Sequence, residues 1–233
     1  MNDPDESGRE HAMFERRQHA LVAGFALLVV AGVVTAVVAL DPRQPAVQGI
    51  DDRWLTWMGD VRSPALTRVA RFLSVVGGPW LMVPLRLAVF GGLAWTRRWL
   101  QLTAFAGAVI TSELCIGPLK ALLDRPRPPN SLVATASAAF PSGHAIAASV
   151  TAIGLVLVLA PAFNRRTHWT VIAASFAALM AMSRTYLGAH WASDVIAGVC
   201  IGTGLAVVWP AALELVRERY RARASAIVAG MAS

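Results

Sequence analysis

Long runs of Ala, Val, Leu, Ile and Gly, interrupted by short arginine clusters, leave this chain few ways to fold. Residues 19–40 carry no Asp, Glu, Lys or Arg, and as a helix they extend about 33 Å, enough to cross a bilayer core. The run is longer than a usual signal-peptide core and more apolar runs follow, so it reads as an uncleaved anchor. Those runs lie at about 79–96, 99–119, 142–160, 167–182 and 190–213. The predicted fold class is therefore all-α, a polytopic membrane bundle of six transmembrane helices. Composition agrees: 56% of residues are hydrophobic and 15% charged, which suits a bilayer protein better than a soluble domain.

Between the first two spans the pattern changes. Asp41-Pro42 stops the first, and Asp51, Asp52, Arg53, Trp54, Trp57, Asp60 and Arg62 follow. Leu66, Val69, Leu73 and Val76 then recur at helical spacing, with Arg68 and Arg71 at polar positions, which predicts an interfacial amphipathic helix with the tryptophans at headgroup depth. Residues 1–18 are polar and read as a disordered tail, residues 19–213 as the six-span domain, and residues 214–233 as a basic tail. Six spans place both termini on one side, together with Arg16-Arg17, Arg97-Arg98, Arg165-Arg166 and Arg217 to Arg223. The positive-inside rule makes that side cytoplasmic, in an inner (plasma) membrane. The net charge of +7 is thus a topology signal, with no nucleic-acid partner implied.

Three motifs fall on the opposite side. The first is Lys120-x6-Arg127-Pro128, and Lys120 is the only lysine in the chain. The second is Pro141-Ser142-Gly143-His144, and the third Ser183-Arg184-x5-His190-x3-Asp194. Lys120, Arg127 and Arg184 offer a point charge and two planar forks, a mixture that fits a tetrahedral anion approached from several directions. Ser142 is placed to cap the fourth span, turning the Gly143 N–H and its neighbours toward an anion, and Gly143 has no side chain to block the approach. His144 in the first turn can protonate a leaving oxygen. His190 and Asp194, four apart on one helical face, form a nucleophile and its orienting carboxylate.

Together these motifs resemble the three signature motifs of the type 2 phosphatidic acid phosphatase family, which is itself similar to vanadium haloperoxidases and glucose-6-phosphatase. The motifs cover residues 120–194, and the six-span plan extends the likeness to about 19–213. The resemblance implies phosphate binding by Lys120, Arg127, Ser142, Gly143 and Arg184, with His190 as nucleophile, His144 as acid and Asp194 as helper. It also implies no metal and no cofactor, and the sequence has no ligand cluster.

The function so implied is an integral-membrane lipid phosphatase that removes a terminal phosphate through a phosphohistidine. Polyprenyl diphosphate, phosphatidylglycerol phosphate and phosphatidic acid all fit as the lipid phosphate partner, with polyprenyl diphosphate favoured by analogy of fold alone. Phosphotransfer to a lipid acceptor, vanadate-dependent halide oxidation, and binding or transport without turnover are the alternatives. Arg125 reads as a solvated loop charge, Ser183 as a local hydrogen-bonding group, and Tyr186 and Trp191 as interfacial anchors. Arg86 and Glu113 lie within spans at similar depth, and because an unpaired ion there is costly they are expected either to pair or, since Glu113 is two turns before Lys120, to have Glu113 reach the site instead.

Overall fold

The computed structural model describes residues 4–159 and 166–231, and these form eight α-helices without strands. They are α1 (Pro4–Leu40), α2 (Gln48–Asp60), α3 (Pro64–Val76), α4 (Pro79–Trp95), α5 (Trp99–Leu123), α6 (Gly143–Leu159), α7 (Arg166–Tyr186) and α8 (Ala192–Met231). Helices satisfy their own backbone groups, which lipid cannot do for them. Helices α1, α4, α5, α6, α7 and α8 answer to the six apolar runs. Three segments, Gln18–Leu40, Trp99–Leu123 and Ala192–Ser225, are each long and apolar enough to cross a membrane alone. Helices α3 and α4 pass the same test as a pair bent by 44°, and α6 is apolar over 17 residues.

The polar segment expected to be disordered is helical from Pro4 onward, continuous with the first span. Residues 1–3 of that segment lie outside the described residues, as do residues 160–165, where the turn after the fourth span was expected. At the other end, α8 continues to Met231 without a break, so the basic segment extends the sixth span as helix.

Helix α8 is the axis of the bundle and packs most extensively against α1 and α6. The main core joins Ala31 of α1, Phe105 of α5, Ile146 and Val150 of α6, and Ile201 and Leu205 of α8. Close approach of α6 and α8 depends on glycine. A Cβ on Gly202 would stand 2.6 Å from the Ile146 carbonyl oxygen, and one on Gly198 2.9 Å from that of Ser142. Small residues at such crossings let helices meet backbone to backbone. The amphipathic segment between the first two spans forms two helices. Ser63 caps α3, accepting from the Leu66 N–H at 3.3 Å, and the helix lies on α7 through buried Ala70 while Leu66, Val69 and Phe72 face outward. The corner between α3 and α4 lands beside the first turn of α6, close to His144.

Candidate active site

The C-terminal end of α5 and the loop after it, the N-terminal end of α6, and the α7–α8 turn meet at one end of the bundle. Lys120 Nζ donates to the Ala138 carbonyl at 2.5 Å, and Arg127 Nη2 donates to the same oxygen at 3.2 Å. Arg127 Nη1 also donates to the Ala189 carbonyl at 2.5 Å and lies 3.3 Å from His190 Nε2. Ser142 is buried, and its Oγ accepts from the Ala145 N–H at 3.4 Å, the capping bond predicted for it. Its own N–H donates to the Asp194 carbonyl at 3.1 Å, which ties the second motif to the third. A Cβ built on Gly143 would meet nothing within 4 Å, so that position borders open space.

Helix α3 contributes a residue that no spacing argument anticipated. Ser74 Oγ accepts from Arg184 Nη1, and the Ser74 carbonyl accepts from His144 Nε2 at 3.1 Å. That bond leaves Nδ1 of His144 for proton exchange. The Ser183 hydroxyl donates locally to the Met180 carbonyl at 2.7 Å. All eight predicted site residues thus gather at one end of the bundle.

His190 departs from its predicted setting. It lies in the turn before α8 and not on the helix, although Nδ1 still comes within 3.5 Å of Asp194 Oδ2. At that length the contact is looser than a hydrogen bond, a common state for catalytic pairs before substrate arrives. Asp194 occupies the third position of α8 and accepts the Trp191 N–H at 2.9 Å, the backward half of a capping box. The carboxylate is therefore fixed by the helix start, and the turn residue comes to it. Burial pulls the His190 imidazole down to about 4; Asp194 opposes that shift, and the Arg127 and Arg184 charges reinforce it. The ring is neutral near pH 7.

Arg125 is not a solvated loop charge. Its side chain is 1% exposed, with Nη2 2.7 Å from Asp51 Oδ2 and Nη1 2.6 Å from Asp194 Oδ1. Asp51 also accepts from the Ser193 N–H at 2.8 Å and the Ser193 hydroxyl at 2.6 Å. Two carboxylates at a helix N-terminus, with one guanidinium between them, suit the local field. Trp191 and Tyr186 are likewise buried and not interfacial: Trp191 Nε1 donates to the Pro126 carbonyl at 2.8 Å with Arg125 over its ring, and the Tyr186 hydroxyl bonds Ser63 and Thr67. Pro126 and Ser63 bring polar partners inward, so amphipathic rings that could have anchored at the interface serve the site's walls instead.

Residues 101–217 match the model of the PAP2 superfamily. The chain belongs to that superfamily. Phosphatidylglycerophosphatase B of Bacillus subtilis is 31% identical over 67% of this chain and 80% of its own length. The decaprenylphosphoryl-5-phosphoribose phosphatase of Mycobacterium tuberculosis is also 31% identical, over 64% of this chain and 81% of its own. A crystal structure of a transmembrane PAP2-type phosphatidylglycerolphosphate phosphatase from Bacillus subtilis superposes with a TM-score of 0.68 at 27% identity, covering 84% of this chain and 96% of that one. The Aquifex aeolicus LpxE structure shares the fold, with a TM-score of 0.55 at 23% identity over 66% of this chain and 90% of its own. As a PAP2 member with these relatives, the protein is an integral-membrane lipid phosphatase.

Proposed function

We propose that the phosphate of a membrane lipid binds among Lys120, Arg127, Arg184, Ser142 and the Gly143 N–H, and that His190 Nε2 attacks its phosphorus. The new N–P bond forms as the bond from phosphorus to the lipid oxygen breaks, and that oxygen takes the Nδ1 proton of His144, which enters the step as the imidazolium beside the bound phosphate and leaves it neutral, with Nε2–H still on the Ser74 carbonyl. Asp194 holds the Nδ1 hydrogen and stabilises the charge the ring acquires. Water then attacks the phosphohistidine, passes a proton to His144 and releases inorganic phosphate with His190 restored. The cations offset the charge on the transferring group, which supplies most of the rate in phosphoryl transfer. No step calls for a metal.

One observation carries this reading: a buried imidazole has a carboxylate beside Nδ1 and an arginine beside Nε2. Arg127 covers the attacking lone pair, and moving onto a phosphate oxygen would uncover it. The relatives' names support phosphatidylglycerol phosphate and a lipid-linked phosphoribose as substrate types, besides the prenyl diphosphates and phosphatidic acid. The site end is opposite Arg97-Arg98, which join α4 to α5. We place it on the outer face of an inner (plasma) membrane, with both termini cytoplasmic.

The decisive experiment is phosphate release from a panel of lipid phosphates by purified protein, with and without chelator, beside His190→Ala. Metal-independent release, lost in the variant, with labelled phosphate trapped on His190, is the expected result. Full activity in His190→Ala, or a strict metal requirement, overturns the mechanism. An impermeant thiol reagent on Asn130→Cys, an exposed loop position, should label from outside intact cells.

A further inference from the structure

Below the phosphate site lies an ion pair that the catalytic scheme does not use. Arg86 of α4 is buried, and each of its nitrogens is engaged: Nη1 with Glu113 Oε1 of α5 at 2.6 Å, Nε with Thr151 Oγ1 at 2.8 Å, and Nη2 with the Ala147 carbonyl at 3.3 Å. Glu113 is different. Its side chain is 51% exposed, and it borders a cavity of about 470 Å³ between α4, α5 and α6. Gly143 and His144 border the same cavity, and Met82, Phe90 and Ile116 supply apolar wall. One continuous space therefore runs from the reacting groups to a carboxylate with acceptor capacity to spare. Ala147, which Arg86 touches, is four residues beyond Gly143, so the pair lies roughly 6 Å deeper along α6.

We infer that Glu113, held in place by Arg86, is a subsite for a hydroxyl on the segment that joins the terminal phosphate to the lipid, so that the enzyme acts on lipid phosphates with a polyol linker. The inference rests on the lipid-phosphatase reading and names the substrate class of that site. A carboxylate only accepts hydrogen bonds, so its ligand must donate. Hydrocarbon would leave the exposed oxygen unsolvated at a depth where that is costly. A second phosphate would be repelled. A hydroxyl a few bonds from the phosphorus meets both conditions, and the apolar wall beyond it accommodates the chain. Prenyl diphosphates, favoured by analogy of fold, have no such hydroxyl. A second cavity of about 630 Å³, between α4, α6 and α7, is lined by Leu81, Leu85, Leu155 and Phe176 and touches none of the site residues, so it offers no comparable recognition.

The test compares two lipids that differ in one atom: 1-acylglycerol 3-phosphate, with its free 2-hydroxyl, and the 2-deoxy analogue with the same acyl chain. The readout is the ratio of their kcat/KM values within each protein. Wild type should favour the hydroxyl lipid by about tenfold or more, the worth of a hydrogen bond to a charged group. The ratio should fall toward one in the double variant Arg86→Met, Glu113→Leu, which replaces the whole pair and strands no buried charge. Glu113→Gln, which keeps the shape and loses the charge, should lower it several-fold. A wild-type ratio near one overturns the inference, as does an unchanged ratio in either variant. So does a double variant that melts like wild type yet turns over neither lipid, for the pair is then scaffolding. Failure of wild type to release phosphate from either lipid while it does so from another member of the lipid panel also overturns the inference, whereas failure with the whole panel refutes the phosphatase reading itself.

Discussion

Removing Arg125 should damage this enzyme more than its place in a loop between two motif residues suggests. Its guanidinium is the cation between Asp51 and Asp194, at 2.7 and 2.6 Å, and all three side chains are at most 1% exposed. Arg125→Met leaves two buried carboxylates with only the Ser193 N–H and hydroxyl and the Trp191 N–H to hold them. Breaking one buried pair by deleting a partner costs about 3–5 kcal/mol; two pairs sharing one cation are not additive, so the upper end, about 5 kcal/mol, is expected. For a chain of this size that is a fall in Tm of roughly 10–20 °C. Asp51→Asn is milder, because the amide oxygen can still accept the Ser193 N–H and Arg125 keeps Asp194, and about 1–3 kcal/mol follows. Both should lower kcat more than they raise KM, since Arg125 acts on the reaction through Asp194. Thermal unfolding in detergent and initial rates of phosphate release measure these effects. An Arg125→Met protein that melts within about 2 °C of wild type and turns over normally would refute the argument.

Further outcomes follow from the site. His190 must be neutral to attack, and burial holds its imidazole at about 4, so kcat/KM should persist below pH 6 and fall only near pH 4. Asp194 raises that value, so Asp194→Asn should move the acid limb lower still while reducing kcat. The same depression makes the neutral ring's contribution to stability complete above about 6.5 and lost as pH falls from there toward 4, which a melting series over that range would record. Lys120→Arg conserves charge, but a planar fork cannot replace the ammonium that reaches the Ala138 carbonyl; turnover should fall tenfold or more at unchanged Tm, and wild-type rates would make the lysine incidental. Gly143→Ala should fold normally, since its Cβ meets nothing, and should raise KM by occupying the space that Gly143 borders.

What could be read from the sequence shares a property with what could not. Spans, caps and the three motifs are patterns of short range: Ser142 caps a helix that begins one residue later, and His190 finds Asp194 four positions on. The Arg86–Glu113 pair was also legible, because membrane depth is a coordinate that helical rise converts into residue number and that unrelated spans share. Asp51, Ser74 and the true setting of Arg125 had no such coordinate. Asp51 reaches Arg125 across 74 positions and Ser74 reaches Arg184 across 110, and each comes from the segment between the first two spans, where charges and hydroxyls are common enough that none stands out. Asp51 stands beside Asp52 in a mixed polar stretch, and nothing local tells the two apart until α2 is seen to lie against the start of α8. Tyr186 and Trp191 misled for a related reason: an aromatic ring with a polar tip satisfies a headgroup boundary and a buried carbonyl equally well, and only the partner decides. The segment that looked like a surface helix therefore forms part of the site's frame, α2 neutralising the cluster that holds the Asp194 carboxylate and α3 holding Arg184 and His144. It follows that substitutions at Asp51 and Ser74, outside all three motifs and outside the residues matched by the family model, should behave as active-site substitutions.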